Sequence, residues 1–357
     1  MKIMQVIPCF CFGGAETMCE NLTYALKAQG QDVVVVSLYP QHTPIAQRME
    51  AAGVQILYLD KKLGLDLSMI PKLRRLMAQQ KPDVVHTHLN VVKYAVPAAK
   101  LAGVKTCVHT IHNVADQEST DPVHGLLCRM FYHLGWLVPV ALSGLVQQTV
   151  LSHYHLKPHQ VPVIFNGIDL GKCRSKTGYA LGETVTLLHI GRFQEQKNHR
   201  CLLEMFRQLH EQFPQCRLQL LGDGELRQEM EQLAQQLGIA QWVEFLGLQG
   251  DVHPFLEQAD LFVLPSRYEG MPMTLIEAMA TGLPIVASQV GGVGDMLKGE
   301  QSALLTEPEE NQLLQACQRL LEDESLRQRL GRQALADSVR FSADAMAQQY
   351  LLAYQGR

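Results

Sequence analysis

The sequence lacks the features that define several common classes of protein. It carries 31 lysine and arginine residues against 35 aspartate and glutamate residues, for a formal net charge of -4. No strong positive field therefore exists to attract nucleic acid. No apolar run reaches the ~20 residues that a membrane-spanning helix needs, and the opening run MKIMQVIP is interrupted too early for a signal peptide. We expect a cytoplasmic protein that binds no nucleic acid.

Metal-binding motifs are also missing. The nine cysteines form no Cys-x-x-Cys pair, and the one close pair, Cys9 and Cys11, has no second pair to complete a zinc site. No Asp-x-Asp motif occurs. We therefore expect free thiols in a reducing compartment, no metal site and no cofactor.

What remains is a composition typical of a globular α/β protein with two domains. The 357 residues are 47% hydrophobic and 18% charged, and the chain is long for a single core. Strand and helix patterns alternate from Lys2 and restart at Val185, after the polar segment LGKCRSKTGYALGE. This pattern predicts Rossmann-like domains at residues 1–169 and 184–341, joined by that segment as a linker. A last helix is predicted at 342–355.

The most informative stretch is ADLFVLPSRYEGMPMTLIEAMATGLPIVASQVGG, from Ala259 to Gly292. Its pattern predicts a buried strand at 261–264, a polar loop, a helix that begins near Pro272 and ends at Gly282, and a second strand at 285–287. The unit is a βαβ crossover, and ligands collect at the carboxyl ends of such strands.

Two glutamates in this stretch, Glu269 in the loop and Glu277 in the helix, have seven residues between them. The free amides at the helix N-terminus, those of Met273, Thr274 and Leu275, suit phosphate oxygens. A sugar nucleotide fits this pattern, with Glu277 on the ribose diol and Glu269 with Gly270 at the sugar. The alternative is a loop glutamate in solvent and a helix glutamate in a surface salt bridge.

The run EGMPMTLIEAMATGLPIVAS resembles the signature of the retaining glycosyltransferases of family 4. That resemblance implies a GT-B fold, in which two Rossmann-like domains face a central cleft. It also implies that the C-terminal domain holds a nucleotide-sugar donor, that the N-terminal domain holds the acceptor, and that the last helix can cross back to the N-terminal domain.

Other motifs extend the resemblance. Gly13, Gly14 and Glu16 resemble the family's first glycine loop, near the transferred sugar or the acceptor, although a simple tight turn would read the same way. Arg192 and Lys197, in GRFQEQKN, resemble its phosphate-binding pair, unless they are ordinary surface charge. Gly222 ends a further strand, where the resemblance places the nucleotide.

Histidines follow two strands of the N-terminal half, in the contexts VVHTH and TIHN. Their position at strand ends indicates a site. The resemblance places His112 beside the transferred sugar, whereas His86 and His88 are expected to line the acceptor side or to support the loop.

Two helices suggest contact with a membrane surface. The segment from Asp121 to Val138 is predicted to be one helix with Leu126, Met130 and Leu134 among its apolar residues, and an earlier helix carries Lys72, Arg74, Arg75 and Lys81. They could dock on the inner face of an anionic bilayer. Alternatively, the first is a core helix and the second has a solvated face.

We therefore expect retaining transfer of a sugar from a nucleotide diphosphate, with a UDP-sugar as the first choice and GDP-mannose as the second, to a saccharide or lipid-linked saccharide. His112, Arg192, Lys197 and Glu269 are the expected catalytic residues. Two alternatives remain open at this point: a UDP-sugar epimerase, and a catalytically silent protein that binds sugar nucleotides.

Overall fold

A computed structural model describes residues 1–11, 13–118 and 121–356. The chain divides into two compact units. The first unit contains Met1–Ile168 and the C-terminal segment from Ala343, and the second contains Asp169–Ser342.

The first unit is built on a six-stranded parallel sheet, in the order β3-β2-β1-β4-β5-β6. Its strands are β1 (Lys2–Ile7), β2 (Asp32–Ser37), β3 (Gln55–Tyr58), β4 (Val84–His88), β5 (Thr106–Ile111) and β6 (Val138–Ala141). Its helices are α1 (Gly14–Ala28), α2 (Pro44–Ala51), α3 (Met69–Gln80), α4 (Val92–Leu101), α5 (Ala115–Glu118), α6 (Pro122–His133) and α7 (Gly144–Tyr154).

The second unit repeats this plan with the sheet order β12-β11-β10-β7-β8-β9. Its strands are β7 (Val185–Ile190), β8 (Cys216–Leu221), β9 (Val243–Gly247), β10 (Leu261–Leu264), β11 (Ile285–Ser288) and β12 (Leu304–Thr306). Its helices are α8 (His199–Gln212), α9 (Arg227–Gln236), α10 (His253–Gln258), α11 (Met273–Thr281), α12 (Val293–Met296), α13 (Glu310–Glu322) and α14 (Glu324–Ser338). The last helix, α15 (Ala343–Tyr354), belongs to the first unit.

Strand sequences explain why both sheets are covered on both faces. β2 is the unbroken apolar run Val33–Val36, and all four side chains are buried. Such runs are typical of parallel strands with helices on both sides. The α/β class predicted from the sequence is confirmed.

Each sheet has one point where the strand order reverses. In the first unit the chain moves outward from β1 to β3 and then returns to β4 on the other side of β1; in the second unit β7 and β10 stand in the same relation. Helices leave such a point toward opposite faces, so a crevice opens at the strand ends. The loops that follow these four strands are therefore the places to look for a site.

One predicted helix boundary is wrong, and one helix start is unusual. The helix predicted from Asp121 to Val138 ends at His133, because Gly135 adopts a φ of 64° and Val138 starts β6. Asn198, which directly precedes α8, makes no side-chain cap; it adopts a φ of 56°, and its side-chain amide donates to the Pro265 carbonyl (3.1 Å).

The polar segment predicted as a linker is part of the second unit and packs against its other residues. The Lys176 backbone amide donates to the Thr281 carbonyl (2.8 Å), and the Tyr179 hydroxyl donates to the Gly282 carbonyl (3.0 Å). The Arg327 guanidinium, which is buried, donates to the Tyr179 carbonyl (2.9 Å). A backbone carbonyl is the acceptor in each of these contacts, so the side-chain pattern gave no sign of them.

Candidate active site

The loops after β7 and β10 hold a buried ion pair. Lys197 Nζ lies 2.6 Å from Glu269 Oε1, and the two side chains are 16% and 4% exposed. The Ser266 hydroxyl donates to the same carboxylate oxygen (2.6 Å). A buried carboxylate is costly unless it is paired and hydrogen-bonded, and both conditions are met here.

A residue that the sequence analysis did not single out completes this pair. Gln196 Nε2 donates to the Tyr268 carbonyl (3.0 Å) and lies 3.4 Å from Glu269 Oε2. Gln196, in the loop after β7, therefore contacts both a backbone group and a side chain of the loop after β10. Both Gln196 and Ser266 stand within the motifs already noted, and that proximity is the one signal that could have identified them.

Gly291 determines where the Glu269 loop can lie. Its φ is 55°, and a Cβ atom on it would meet the Glu269 carbonyl oxygen at 1.6 Å. The backbone amide of Gly292 donates to the carbonyls of Glu269 (3.3 Å) and Gly270 (3.1 Å). No side chain fits at Gly291 while the loop keeps this position.

A second close approach of backbones occurs at the end of β8. Gly222 has a φ of 136°, and a Cβ atom there would meet the Gly191 carbonyl at 2.1 Å. The strand ends of β7 and β8 are thus held together by glycine. Arg192, the residue after Gly191, is exposed.

The N-terminus of α11 offers fewer amides than predicted. The Leu275 amide donates to the Pro272 carbonyl (3.2 Å), so the prediction that it is open to a phosphate is wrong in this structure. Met273 and Thr274 supply the first two amides of the helix, which have no acceptor one turn earlier within it.

Glu277 lies one turn further along α11. Burial raises the pKa of its carboxyl to about 8, with a further increase from the Asp251 carboxylate and an opposing effect of Lys172. Near neutral pH this carboxyl is therefore largely protonated, and it can donate as well as accept a hydrogen bond.

In the first unit the predicted histidines do meet. His88 Nδ1 lies 3.2 Å from His112 Nε2, and the rings of His86 and His88 are 4.3 Å apart. Burial lowers the pKa of His86 and of His112 to about 3, so both are neutral at physiological pH.

His86 and His88 are completely buried, and protein groups hold both ring nitrogens of each. This geometry favours support of the loop over the other role considered, that of lining the acceptor side. His112 is only partly buried. Of the three, it is the one placed to meet a ligand.

A further group, missed by the sequence analysis, holds the His112 loop. Glu118 Oε2 accepts from the Asn113 backbone amide (2.8 Å), and burial raises the pKa of this carboxyl to about 8.

In the predicted glycine loop, Gly13 immediately precedes α1 and Glu16 is buried in its first turn.

Most of the large apolar side chains that are exposed among the described residues lie in the first unit. On and after α6 these are Val123 (56%), Leu126 (69%), Met130 (44%), Leu134 (54%) and Trp136 (38%), and before α3 they are Leu63 (91%), Leu65 (69%) and Leu67 (64%). The alternative that α6 is simply a core helix therefore describes only one of its sides, that of Phe131. Among the described residues, no helix is both long and apolar enough to cross a membrane.

Comparison with known families accounts for most of the chain. Residues 12–172 match the model described as Glycosyltransferase Family 4, and residues 177–337 match Glycosyl transferases group 1. The chain is 30% identical over 305 residues to the glycosyltransferase-type protein EpsF of Bacillus subtilis (strain 168), covering 80% of this chain and 79% of that protein.

Two further relatives are informative. An Escherichia coli enzyme named UDP-Gal:alpha-D-GlcNAc-diphosphoundecaprenol alpha-1,3-galactosyltransferase is 28% identical over 258 residues, 68% of this chain and 67% of its own. The crystal structure of Anabaena Alr3699/HepE in complex with UDP and glucose superposes over 100% of both chains with a TM-score of 0.88, at 19% identity. The latter shows the GT-B fold that the sequence predicted.

Proposed function

Because the chain belongs to glycosyltransferase family 4, the glycosyl transferases group 1, we propose that it moves a hexose from a UDP-sugar to a saccharide or lipid-linked saccharide, with retention at the anomeric carbon. The observation that carries this proposal is the buried Lys197–Glu269 pair at the strand ends where the order of the second sheet reverses. GDP-mannose is the second choice of donor.

The proposed donor site follows from the chemistry of its groups. The diphosphate lies against Arg192, Lys197 and the first amides of α11, and the sugar lies beside Glu269 and Gly270. An ammonium group has three donors, so Lys197 can keep its bond to Glu269 while it reaches a phosphate oxygen. Glu277 binds the ribose diol.

Catalysis in this proposal rests on positioning and on charge. Negative charge grows on the diphosphate as the glycosidic bond breaks, and the cations and helix amides stabilise that charge. His112 of the first unit contacts the transferred sugar. No covalent nucleophile is assigned.

The choice of UDP is supported by one relative. The E. coli enzyme is named for UDP-Gal as donor and for a diphosphoundecaprenol-linked GlcNAc as acceptor. A UDP-hexose and a lipid-linked saccharide are therefore the first pair of substrates to test.

Thermal denaturation with UDP-, GDP- and ADP-sugars tests the donor. A donor at about 100 times its Kd adds about 2.7 kcal/mol to the free energy of unfolding, so UDP-hexoses should raise the Tm and ADP-sugars should not. Arg192→Ala should abolish the shift. The matched control is Arg207→Ala, which removes a partly exposed arginine paired with Glu211 on α8, away from the site. A shift that Arg192→Ala leaves intact would refute the assigned diphosphate site.

The exposed apolar residues support a lipid-linked acceptor. α4 packs against both α3 and α6, so these helices form one layer on the first sheet. Basic side chains, exposed like the apolar ones, accompany them: Lys62, Lys72, Arg74, Arg75 and Arg129. Apolar side chains beside cations are the combination that binds an anionic bilayer surface. We place the contact with the membrane on this layer.

Sedimentation with vesicles tests this contact. The protein should sediment with vesicles that contain anionic lipid and much less with neutral ones. Leu126→Ser combined with Met130→Ser should weaken binding, whereas Leu248→Ser, at a leucine of the second unit that is 48% exposed, should not. Equal binding by the double variant and the wild type would refute the assigned surface.

A further inference from the structure

A chain of hydrogen bonds runs from the core of the first unit to His112, and its direction can be read from its inner end. The Thr23 hydroxyl donates its proton to the Cys19 carbonyl (2.7 Å), a group that can only accept. Its oxygen must therefore accept from Gln5, whose amide nitrogen is 2.6 Å away. This contact fixes which way the Gln5 amide faces.

The Gln5 carbonyl oxygen consequently faces His88. It accepts from the Cys19 thiol (3.3 Å) and lies 2.9 Å from His88 Nε2. Because an amide oxygen only accepts, His88 Nε2 must carry a proton. All of these groups are buried.

The remaining steps follow from neutrality. Burial holds the pKa of His88 well below its usual range and that of His112 near 3, so each ring carries one N–H. With Nε2 of His88 protonated, its Nδ1 must accept, and the donor is His112 Nε2 at 3.2 Å. Nδ1 of His112 is then left without a proton.

We propose that Gln5 is a positioning residue which, through His88, holds His112 in the tautomer whose Nδ1 accepts a hydrogen bond from the substrate. This inference rests on the proposed function, which places His112 beside the transferred sugar. An unprotonated Nδ1 accepts a hydrogen bond from a hydroxyl or an amide N–H of the sugar and repels a carboxylate or phosphate oxygen. We call this chain of hydrogen bonds, from Thr23 through Gln5 and His88 to His112, the relay. The relay therefore selects a substrate group that donates a hydrogen bond to His112 Nδ1.

A neighbouring histidine shows why the relay needs an amide at its inner end. His86 contacts the hydroxyls of Tyr354 and Thr110, both at 2.7 Å. Each hydroxyl can donate or accept, so neither determines the tautomer of His86. An amide with a fixed orientation does determine that of His88.

The tautomer can be measured directly, on the ligand-free full chain labelled with 15N-histidine. Long-range 1H–15N correlation spectra distinguish a ring protonated at Nε2 from one protonated at Nδ1. The wild type should show His112 with Nε2–H alone. Gln5→Leu removes the acceptor and should give the Nδ1–H form a substantial share of the population, whereas Gln5→Glu, which keeps an acceptor oxygen, should restore the wild-type spectrum.

Tyr354→Phe is the matched control, because it removes one buried hydrogen bond from the same cluster, outside the relay. It should leave the tautomer of His112 unchanged. If Gln5→Leu does not fold, Thr23→Val serves instead, since it frees the Gln5 amide to turn over. A wild-type His112 protonated at Nδ1, or a tautomer indifferent to both variants, overturns the relay.

Kinetics separate the relay from the proposed function. Gln5→Leu should lower kcat by on the order of tenfold, the effect of about 1.4 kcal/mol from one hydrogen bond, and Gln5→Glu should recover most of it. A tautomer that responds while kcat does not would leave the relay standing and refute the place of His112 beside the sugar.

Discussion

The two units share one strand topology, but they differ in the side chains at the point where the strand order reverses. Both sheets reverse their strand order next to the first strand of the unit. At that point the second unit places a buried ammonium–carboxylate pair, Lys197 with Glu269. The first unit places neutral rings and hydroxyls, among them His86, His88 and Tyr350.

The difference follows from what accompanies each group. In the second unit Glu269 has a cation within 2.6 Å, which offsets the cost of keeping the carboxylate buried. Burial lowers the pKa of His88 in the first unit, and the neighbouring histidines oppose its protonation further. We infer that the second unit is built to meet a charged ligand part and the first a neutral one.

Removing the cation should produce the largest effect. Lys197→Ala leaves Glu269 buried and unpaired, so we expect a loss of about 3 kcal/mol in the free energy of unfolding and a fall in kcat on the order of 10²-fold. Chemical denaturation and steady-state kinetics measure the two effects.

The double variant Lys197→Ala with Glu269→Gln separates the two effects. It removes the uncompensated charge, so stability should return in part while kcat stays low. Turnover by Lys197→Ala at the wild-type rate with saturating donor would contradict the contrast between a charged and a neutral unit.

The backbone of the loop that carries Glu269 should be the next most sensitive feature. Gly291→Ala places a Cβ atom 1.6 Å from the Glu269 carbonyl, in a left-handed conformation. The loop must move, and we expect a loss of about 2 kcal/mol or more together with weaker donor binding, measured by calorimetry.

Gly294→Ala, three residues away, is the control, because a Cβ atom there meets no heavy atom within 4 Å. Should the two variants bind the donor equally well, the position of Glu269 would not depend on Gly291.

The sequence alone indicated the residues of the Lys197–Glu269 pair more directly than the partners of the histidines. Glu269, Glu277 and Lys197 belong to runs of sequence with recognisable spacing, and the strands and helices that carry them follow the expected apolar periodicity. The Lys197–Glu269 contact spans 72 positions, and no local pattern encodes it.

In the first unit the network depends on distant partners. Tyr354 lies 268 positions from His86, and Gln5 lies 83 from His88. Each of these residues reads in the sequence as an ordinary member of a strand or helix. Their roles come from how the chain folds back, which single-sequence patterns do not contain.

A smaller effect should appear in the pH dependence of stability. The pKa of Glu277 is raised from 4.5 to about 8 in the folded protein. Its contribution to stability is therefore fully present below about pH 4.5 and is lost as the pH rises through about 8. Glu277→Gln, which cannot ionise, should gain stability relative to the wild type across that window and then remain constant.

Glu118 of the first unit sharpens the comparison, because burial raises its pKa to about 8 as well. Glu118→Gln should show the same trend, so this titration does not distinguish the two units. Urea denaturation at pH 5, 7 and 9 measures both variants. A difference between Glu277→Gln and the wild type that is independent of pH would refute the raised pKa.

The smallest expected effect is that of removing divalent metal. In the proposed site, Arg192, Lys197 and the first amides of α11 already supply positive charge to the departing diphosphate. The rate of sugar transfer should therefore be unchanged in EDTA. It can be measured with a UDP-hexose once an acceptor is found. Added magnesium or manganese should change the rate little. If chelation abolishes turnover and either metal restores it, the diphosphate is held by a metal ion, and the charge that distinguishes the second unit has another role than the one assigned to Arg192 and Lys197.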